Sequence, residues 1–428
     1  MSTLQSDHPL GAHPGPGRAE TRERLSKAAY DLLVIGGGIL GTAVAWHSAQ
    51  SGLRVAMVDA GDFTGATSSA SSKLAHGGLR YLQTGAVKLV AENLHERRVP
   101  AKDVAPHLVN PLTFYLPVYK GGPHSAAKLG AGVFAYSMLS AFGDGVGRLI
   151  SPAGAAADHP GLRTDGLKAV AVYGDHQATP IDKYRLTFAL PWEDQLLLGT
   201  TEEAYEGDPA EVRTTGADIQ QIVDEAALSV RDEHLSHDLT TYAFAGLRAL
   251  PGGPGGVESA QRETVVTEGR GGMLPVAGGK WTTYRHIGRT VLRKVAQLHR
   301  SLSGDMKPVS HPPRRVPLPG LADPNEVAHR LLVHREAGAR MDPLTGRHLA
   351  TPTGRCPSTS PTWSARTRPW ASGSTPMARR SGHRSSMRDH EWAEAVDDVL
   401  RRRTTLAVRG LGTDEVRAGV QDLLVQKD

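Results

Sequence analysis

Tyr30 to Asp59 reads YDLLVIGGGILGTAVAWHSAQSGLRVAMVD, and the order of its parts decides the fold. Leu32, Leu33, Val34 and Ile35 form a short continuous apolar run, which suits a parallel strand buried on both faces. Gly36, Gly38 and Gly41 follow with GxGxxG spacing. The first glycine makes the tight turn, the second lets a diphosphate approach the backbone, and the third lets helix pack on strand. Ile39 to Ser51 is predicted as a helix, with its free amides and positive dipole end facing that diphosphate.

Leu53 to Val58 gives a second apolar strand, and Asp59 stands at its end, 18 residues beyond Gly41. A carboxylate there accepts hydrogen bonds from a ribose diol, favours FAD or NAD, and repels a 2′-phosphate. A glycine turn with no ligand is the plain alternative, and the order of strand, turn, helix and acid weighs against it. The fingerprint by itself does not separate flavin from nicotinamide.

Length and composition bound the rest. A chain of 428 residues can bury a large core and has room for two or three domains. The net charge of +5 is modest and its basic residues are dispersed, so no nucleic-acid footprint is indicated. Cys356 is the single cysteine, which excludes an intramolecular disulfide and a multi-cysteine metal site and fits a reducing, cytoplasmic compartment. Residues 1–27 are rich in Gly, Pro, His and charge, contain no apolar core of a signal peptide, and read as a disordered extension. No run of eighteen apolar residues occurs. Leu129 to Phe142, LGAGVFAYSMLSAF, is the strongest candidate for surface attachment to a membrane, against the plainer reading of a buried helix.

Beyond the fingerprint, Gly65 to Leu82 reads GATSSASSKLAHGGLRYL. Its small hydroxyl residues, among them Ser68, Ser69 and Ser72, together with Lys73, offer donors to a second part of a phosphorylated cofactor. Gly77 and Gly78 would let the backbone approach a flat ring. Val87 to Val99 is predicted as an amphipathic helix, Leu112 to Val118 and Leu167 to Tyr173 as strands, and Thr187 to Thr201 as a hairpin. Ala217 to Val230 has helical spacing behind a cap of Thr215 and Asp218. Val276 to Ile287, VAGGKWTTYRHI, reads as strand, double glycine, then helix start. Lys280 and the amides of Trp281 and Thr282, beyond Gly279, are placed to stabilise negative charge on the pyrimidine end of a reduced flavin. Arg80, Arg248 and Arg262 read by default as surface charges, and their interest lies in convergence on a doubly charged phosphate.

Five segments, IGGGILGTAVAW, SSASSKLAHGGLRYL, LPWEDQLLLGTTEEAYEGDP, YAFAGLRALPGG and VAGGKWTTYRHIG, closely resemble the FAD-dependent glycerol-3-phosphate dehydrogenase family in family order. The resemblance covers about Tyr30 to Asp342 and resumes weakly from Asp389. It implies an α/β chain, α+β overall, with a doubly wound FAD-binding domain at 28–177, a sheet-based substrate domain at 178–300 and a helical C-terminal domain at 301–428. It implies FAD as cofactor, glycerol 3-phosphate as substrate, dihydroxyacetone phosphate as product and a quinone as acceptor. Peripheral contact at the inner face of the cell membrane and a homodimer fit the same picture. Arg80, Arg248 and Arg262 would hold the substrate phosphate and Lys280 would sit between flavin and substrate, with His76 and Tyr81 near the ring. An amine-oxidising flavoenzyme shares the GxGxxG opening but is disfavoured by HGGLRYL and GGKWTTY.

Two stretches depart from the family pattern. Gln177 runs straight into Ala178-Thr179-Pro180-Ile181-Asp182, which the family places well downstream, so a sizeable internal piece, with a histidine of the substrate pocket, is missing. Without the neighbouring strands, an apolar face of the first strand is expected to stand open to water. Residues 343–388 contain no Asp or Glu and no strand or helix period, and read as disordered, like a stretch in a shifted frame, with a natural linker as the rival. Asn325 to Gly338, His390 to Arg403 and Thr413 to Val425 read as helical. These departures support a second hypothesis, a non-catalytic remnant with weak or no FAD binding.

Overall fold

The computed structural model describes residues 18–106, 108–122, 124–177, 189–192, 195–201, 203–249, 264–303, 392–403, 406–407 and 410–425. The chain divides into two compact units, one of residues 1–29, 100–110 and 315–428, the other of residues 30–99 and 111–314. The expected FAD-binding and substrate portions thus fall mostly in one unit. Arg262 and residues 343–388 lie outside the described residues, as does Asn325 to Gly338.

In the first unit, Arg18–Lys27 forms helix α1, which corrects the expectation of disorder for that part of 1–27. Its Arg18 donates to the Trp392 carbonyl at 3.0 Å and pairs with Glu394 at 3.0 Å. The Asp398 carboxylate accepts from the amides of Glu394 and Ala395, and Val399, Leu400, Leu406, Ala407 and Val420 are buried. The last helix spans Asp414–Val425, as its cap predicts.

The second unit opens with strand β1 (Leu32–Ile35), helix α2 (Ile39–Gln50) and strand β2 (Val55–Val58). β1 and β2 pair in parallel, Leu32 beside Val55 and Ile35 beside Val58. Gly36 turns the chain with φ 102°, and a Cβ on Gly41 would collide with the Gly36 carbonyl, so the first and third glycines are required by geometry. Leu32, Val34, Val55 and Met57 face helix α7 (Tyr284–Ser303), which also packs on α2 so closely that a Cβ on Gly288 would come within 2.9 Å of the Ala43 backbone.

The other face of the pair is open. Leu33 is 56%, Ile35 78% and Val58 39% exposed, and among the described residues the sheet holds two strands. The class is mixed α/β as expected, but the doubly wound sheet is represented here by this one parallel pair.

The remaining strands build a second layer. β3 (Leu74–Ala75), β4 (Asn110–Tyr119), β5 (Arg148–Ile150) and β6 (Leu167–Gln177) form one sheet in the order β3-β6-β4, with β5 also paired to β6. Two of these strands run longer than the sequence suggests, β6 ending at Gln177 rather than Tyr173. One face packs Leu112, Phe114, Ala171 and Tyr173 against helices α3 (Val87–Val99) and α4 (Ala126–Leu139) through Val90, Leu94, Val133 and Tyr136. The opposite face buries Tyr115, Val170 and Val172 with Ala155, Leu162 and Val230. The expected hairpin is present as Leu190–Trp192 paired antiparallel with Gln195–Leu197, and Gly216–Ala227 is a helix with the Thr215–Asp218 capping box.

Asymmetric cover of β1 sets a test. Val34→Ala is expected to cost about 2 kcal/mol in urea denaturation, whereas Ile35→Thr changes stability by less than about 0.5 kcal/mol. Equal costs would mean that the Ile35 face is covered in solution. A second test uses His47, buried on α2, whose pKa is lowered to about 4 by burial and by Arg285 and Arg289 of α7. The unfolded chain then binds the extra proton between about pH 4 and the ordinary 6.5, so unfolding free energy rises with pH across that window. His47→Leu should flatten that part of the profile, and an unchanged slope would remove His47 from the account.

Candidate active site

The glycine turn presents its amides to oxygen. The Gly37 amide donates to Asp59 Oδ2 at 2.7 Å, and Asp59 Oδ1 accepts from the Gly61 amide at 2.9 Å. At the start of α2 the Ile39 amide donates to Ser68 Oγ at 2.9 Å, and Ser68 also lies against Gly38. Two side-chain oxygens therefore meet the helix end where the dipole and amides favour an anion. This donor set fits the diphosphate of a dinucleotide.

The serine loop is fixed from within. Lys73 takes φ 55° and its ammonium donates to the carbonyls of Ser68 at 2.8 Å and Ser69 at 2.7 Å. Burial lowers its pKa to about 8. Lys73, which the sequence assigns to the cofactor, thus organises the loop, while Ser69 Oγ donates to the Thr64 carbonyl and the Ser72 carbonyl accepts from Gln177 Nε2. The loop meets the FAGLRAL segment through a hydrogen bond from Thr67 Oγ1 to the Leu247 carbonyl and through Gly246 set against Ala70.

Beyond β3, HGGLRYL and GGKWTT come together. Thr282 Oγ1 lies 3.2 Å from both the amide and the carbonyl of His76, accepting from the first and donating to the second. Lys280 Nζ sits 4.1 Å over the Tyr81 ring, buried and without a hydrogen-bond partner. Gly78 and Gly279 take positive φ of 83° and 90°, Gly278 donates to the Ala249 carbonyl, and the Trp281 ring packs on Tyr284. His76 is held neutral: burial lowers its pKa, and Lys280, Arg97 and Arg248 add to this against the opposing Asp175. The unpartnered Lys280 ammonium, the nearby Arg248 and a neutral imidazole form a place for a negatively charged ligand. The orphaned Lys280 amine fits the anionic pyrimidine end of a reduced flavin.

Of the predicted phosphate-binding arginines, Arg248 lies exposed near this cluster, Arg80 is exposed on the short helix after Gly78 and makes no ion pair among the described residues, and Arg262 is outside them. Sequence reading missed a buried charge cluster directly behind His76. Arg97 of α3, with no exposed surface, pairs with both Asp175 of β6 and Asp144, and Tyr136 donates to Asp175 Oδ2 at 2.6 Å. The signal for it was available: Asp175 interrupts the apolar alternation of a strand, and Glu96 and Arg97 fall on the buried side of an amphipathic helix. Glu96 in turn takes Arg285 of α7 at 2.8 Å, which ties α3 to the fingerprint layer.

A buried ammonium without a partner is retained at a cost to stability. Lys280→Met should raise the unfolding free energy of the ligand-free chain by about 1 kcal/mol, read by urea denaturation. A loss of about 2 kcal/mol would mean that the contact with Tyr81 dominates and Lys280 is structural.

Residues 31–180 match the family described as FAD dependent oxidoreductase (DAO). The glycerol-3-phosphate dehydrogenase 2 of Mycobacterium tuberculosis is 30% identical over 374 residues, taking in 63% of this chain and 64% of that protein. The aerobic glycerol-3-phosphate dehydrogenase of Staphylococcus haemolyticus is 25% identical over 390 residues, covering 65% and 69%. The chain thus spans about 64% of the length of the mycobacterial relatives it matches. The fold is that of the Bacillus halodurans glycerol-3-phosphate dehydrogenase solved with FAD, with a TM-score of 0.65 over 95% of this chain and 96% of that one at 18% identity. Residues 31–180 thus match an FAD-dependent oxidoreductase family, and the chain is similar in sequence and in fold to proteins named glycerol-3-phosphate dehydrogenase.

Proposed function

We propose that this chain binds FAD and oxidises sn-glycerol 3-phosphate to dihydroxyacetone phosphate, with the electrons passed on to a quinone. The observation that carries the reading is the buried, unpartnered Lys280 ammonium beside His76 and Thr282, where HGGLRYL meets GGKWTT. FAD, when bound, supplies the acceptor for the hydride that leaves carbon 2. The amides at the start of α2, with Gly36, Gly38, Gly41, Ser68 and Asp59, hold the diphosphate and ribose. Ser69, Ser72, Lys73, Gly78, Gly279, Trp281 and Thr282 shape the loops around the ring.

Arg80, Arg248 and Arg262 hold the substrate phosphate, where planar guanidinium groups suit a doubly charged anion. His76, neutral through burial and its cationic neighbours, accepts the hydroxyl proton as the carbonyl forms. Lys280 offsets the charge gained by the ring.

Contact with the inner face of the cell membrane belongs to the same reading. Helix α4 and the turn after it leave Phe134, Met138, Phe142, Val146 and Leu149 exposed, with the rings of Phe134 and Phe142 6.0 Å apart. Lys128 of α4 and Arg148, next to Leu149, are basic residues of this stretch, and Asp144, the single acid from Leu116 to Ile150, is drawn inward to Arg97. Apolar centre and cationic rim suit an anionic lipid surface. Among the described residues no helix is long and apolar enough to cross a membrane. A homodimer is compatible with this arrangement.

The second reading, a remnant without catalysis, is favoured by one observation, the exposure of Leu33 and Ile35 on the face of β1 away from α7. The visible spectrum of the purified chain separates the two. Flavin bands that bleach on anaerobic addition of glycerol 3-phosphate, and not with an amino acid, are the expected result. Bands that persist support the remnant, and a soluble chain without flavin after FAD is supplied overturns the enzyme reading.

A further inference from the structure

Asn93 stands on the buried side of α3, next to Leu94, and has no exposed surface. Its Nδ2 donates to the Gly77 carbonyl at 3.0 Å, while its Oδ1 is buried and has no hydrogen-bond partner among the described residues. A buried oxygen left unpaired costs about 1–3 kcal/mol, at least as much as one intramolecular hydrogen bond contributes. A leucine there would meet the same core without that cost, so the grip of the amide on Gly77 calls for another explanation.

The Gly77–Gly78 peptide supplies one. A side chain on Gly77 would run into the Tyr136 hydroxyl and Leu94, whereas one on Gly78 would meet the Tyr81 ring, over which Lys280 Nζ lies at 4.1 Å, with His76 Nδ1 next nearest. Thr282 holds both backbone groups of His76, Asn93 holds the Gly77 carbonyl, and the Gly78 carbonyl accepts from the Tyr81 amide at 2.9 Å. Gly78 is buried, and its N–H has no partner among the described residues. The peptide between the two glycines is trans, so its carbonyl and its N–H point in opposite directions. With the carbonyl drawn onto α3, the Gly78 N–H is aimed away from that helix. A peptide flanked by two glycines turns over at little steric cost, so its direction depends on whatever grips it.

We propose that Asn93 is a positioning residue for the flavin ring: by fixing the Gly77 carbonyl it turns the Gly78 N–H toward the ring end of the cofactor site, where that amide donates to an oxygen or nitrogen acceptor of the ring. The inference rests on the reading in which FAD binds with its ring beside Lys280. Asn93 itself touches neither ring nor substrate and acts through one peptide bond. A fixed N–H donates more strongly to an acceptor that has gained negative charge, so the Gly78 amide favours the reduced ring over the oxidised one.

The test compares the unmodified full chain with Asn93→Leu by calorimetric titration of FAD and, separately, of ADP, the half of the cofactor that meets only the glycine turn. In Asn93→Leu, FAD binding should weaken about five- to tenfold, as for one lost hydrogen bond, while ADP binding stays unchanged. The midpoint potential of the bound flavin should become more negative. Equal weakening of FAD and ADP would mean that Asn93 only supports the fold, and an unchanged FAD affinity with an unchanged potential would mean that the Gly78 amide does not reach the ring; either overturns the proposal. If Asn93→Leu fails to fold, the Gly78 amide of the unmodified chain decides. Its proton resonance should move downfield on adding FAD and not on adding ADP, and a resonance that FAD leaves in place overturns the proposal. The two claims fail separately: an unmodified chain that binds ADP but not FAD removes the ring end and the positioning role together, whereas full FAD affinity and potential in Asn93→Leu remove the positioning role alone.

Discussion

Arg97 is the constraint on which the larger layer of this chain depends. Its guanidinium, with no exposed surface, bridges Asp175 of β6 and Asp144 ahead of β5, and Tyr136 of α4 closes on the same Asp175. One side chain from α3 thereby joins a central strand, a turn and a second helix. Removing a partner from such a cluster strands a charge in the interior, at a cost of about 3–5 kcal/mol, well above the net worth of the intact pairs. The aromatic packing of Tyr173 between Phe114 at 5.1 Å and Tyr136 at 5.3 Å is laid over this cluster, and Gly77 must be glycine because Tyr136 and Leu94 fill the space a side chain would need. The backbone of HGG is thus placed by the ion cluster below it.

The fingerprint layer is built on a different principle. Its strands rely on one apolar face against α7, and the close approach of Gly288 to Ala43 draws α7 onto α2. Glu96 and Arg285, both nearly buried, connect the two layers at 2.8 Å. Because a parallel pair normally has cover on both sides, the exposed Leu33 and Ile35 mark where neighbouring strands belong. The alignment with the mycobacterial relatives, 374 residues long yet using 63% of this chain, is in keeping with an internal piece that they have and this chain lacks.

Much of this was legible in the sequence because it depends on local rules. GxGxxG forces its turn through steric contact between neighbours, the Thr215–Asp218 box caps its helix within four residues, and VKLVAENLHERRV declares its apolar side by period. The helix at Arg18–Lys27 was hidden because its residues are polar all round and it is fixed by partners far along the chain, Trp392 and Glu394. The internal hydrogen bonds of Lys73 were hidden for a similar reason: composition gives its charge, but only the left-handed backbone shows that the ammonium curls back onto the carbonyls of Ser68 and Ser69. The Arg97 cluster draws its members from 97, 136, 144 and 175, a convergence that tertiary structure alone reveals.

In the proposed function the glycine turn and the ring-end cluster make one FAD site although the β1–β2 pair is covered on one face. Calorimetric titration of FAD into the ligand-free chain tests it most directly. Saturable binding of one FAD per chain, weakened at least tenfold in Gly41→Ala, is the predicted result. Heat that never saturates, or binding that Gly41→Ala leaves unchanged, would contradict it.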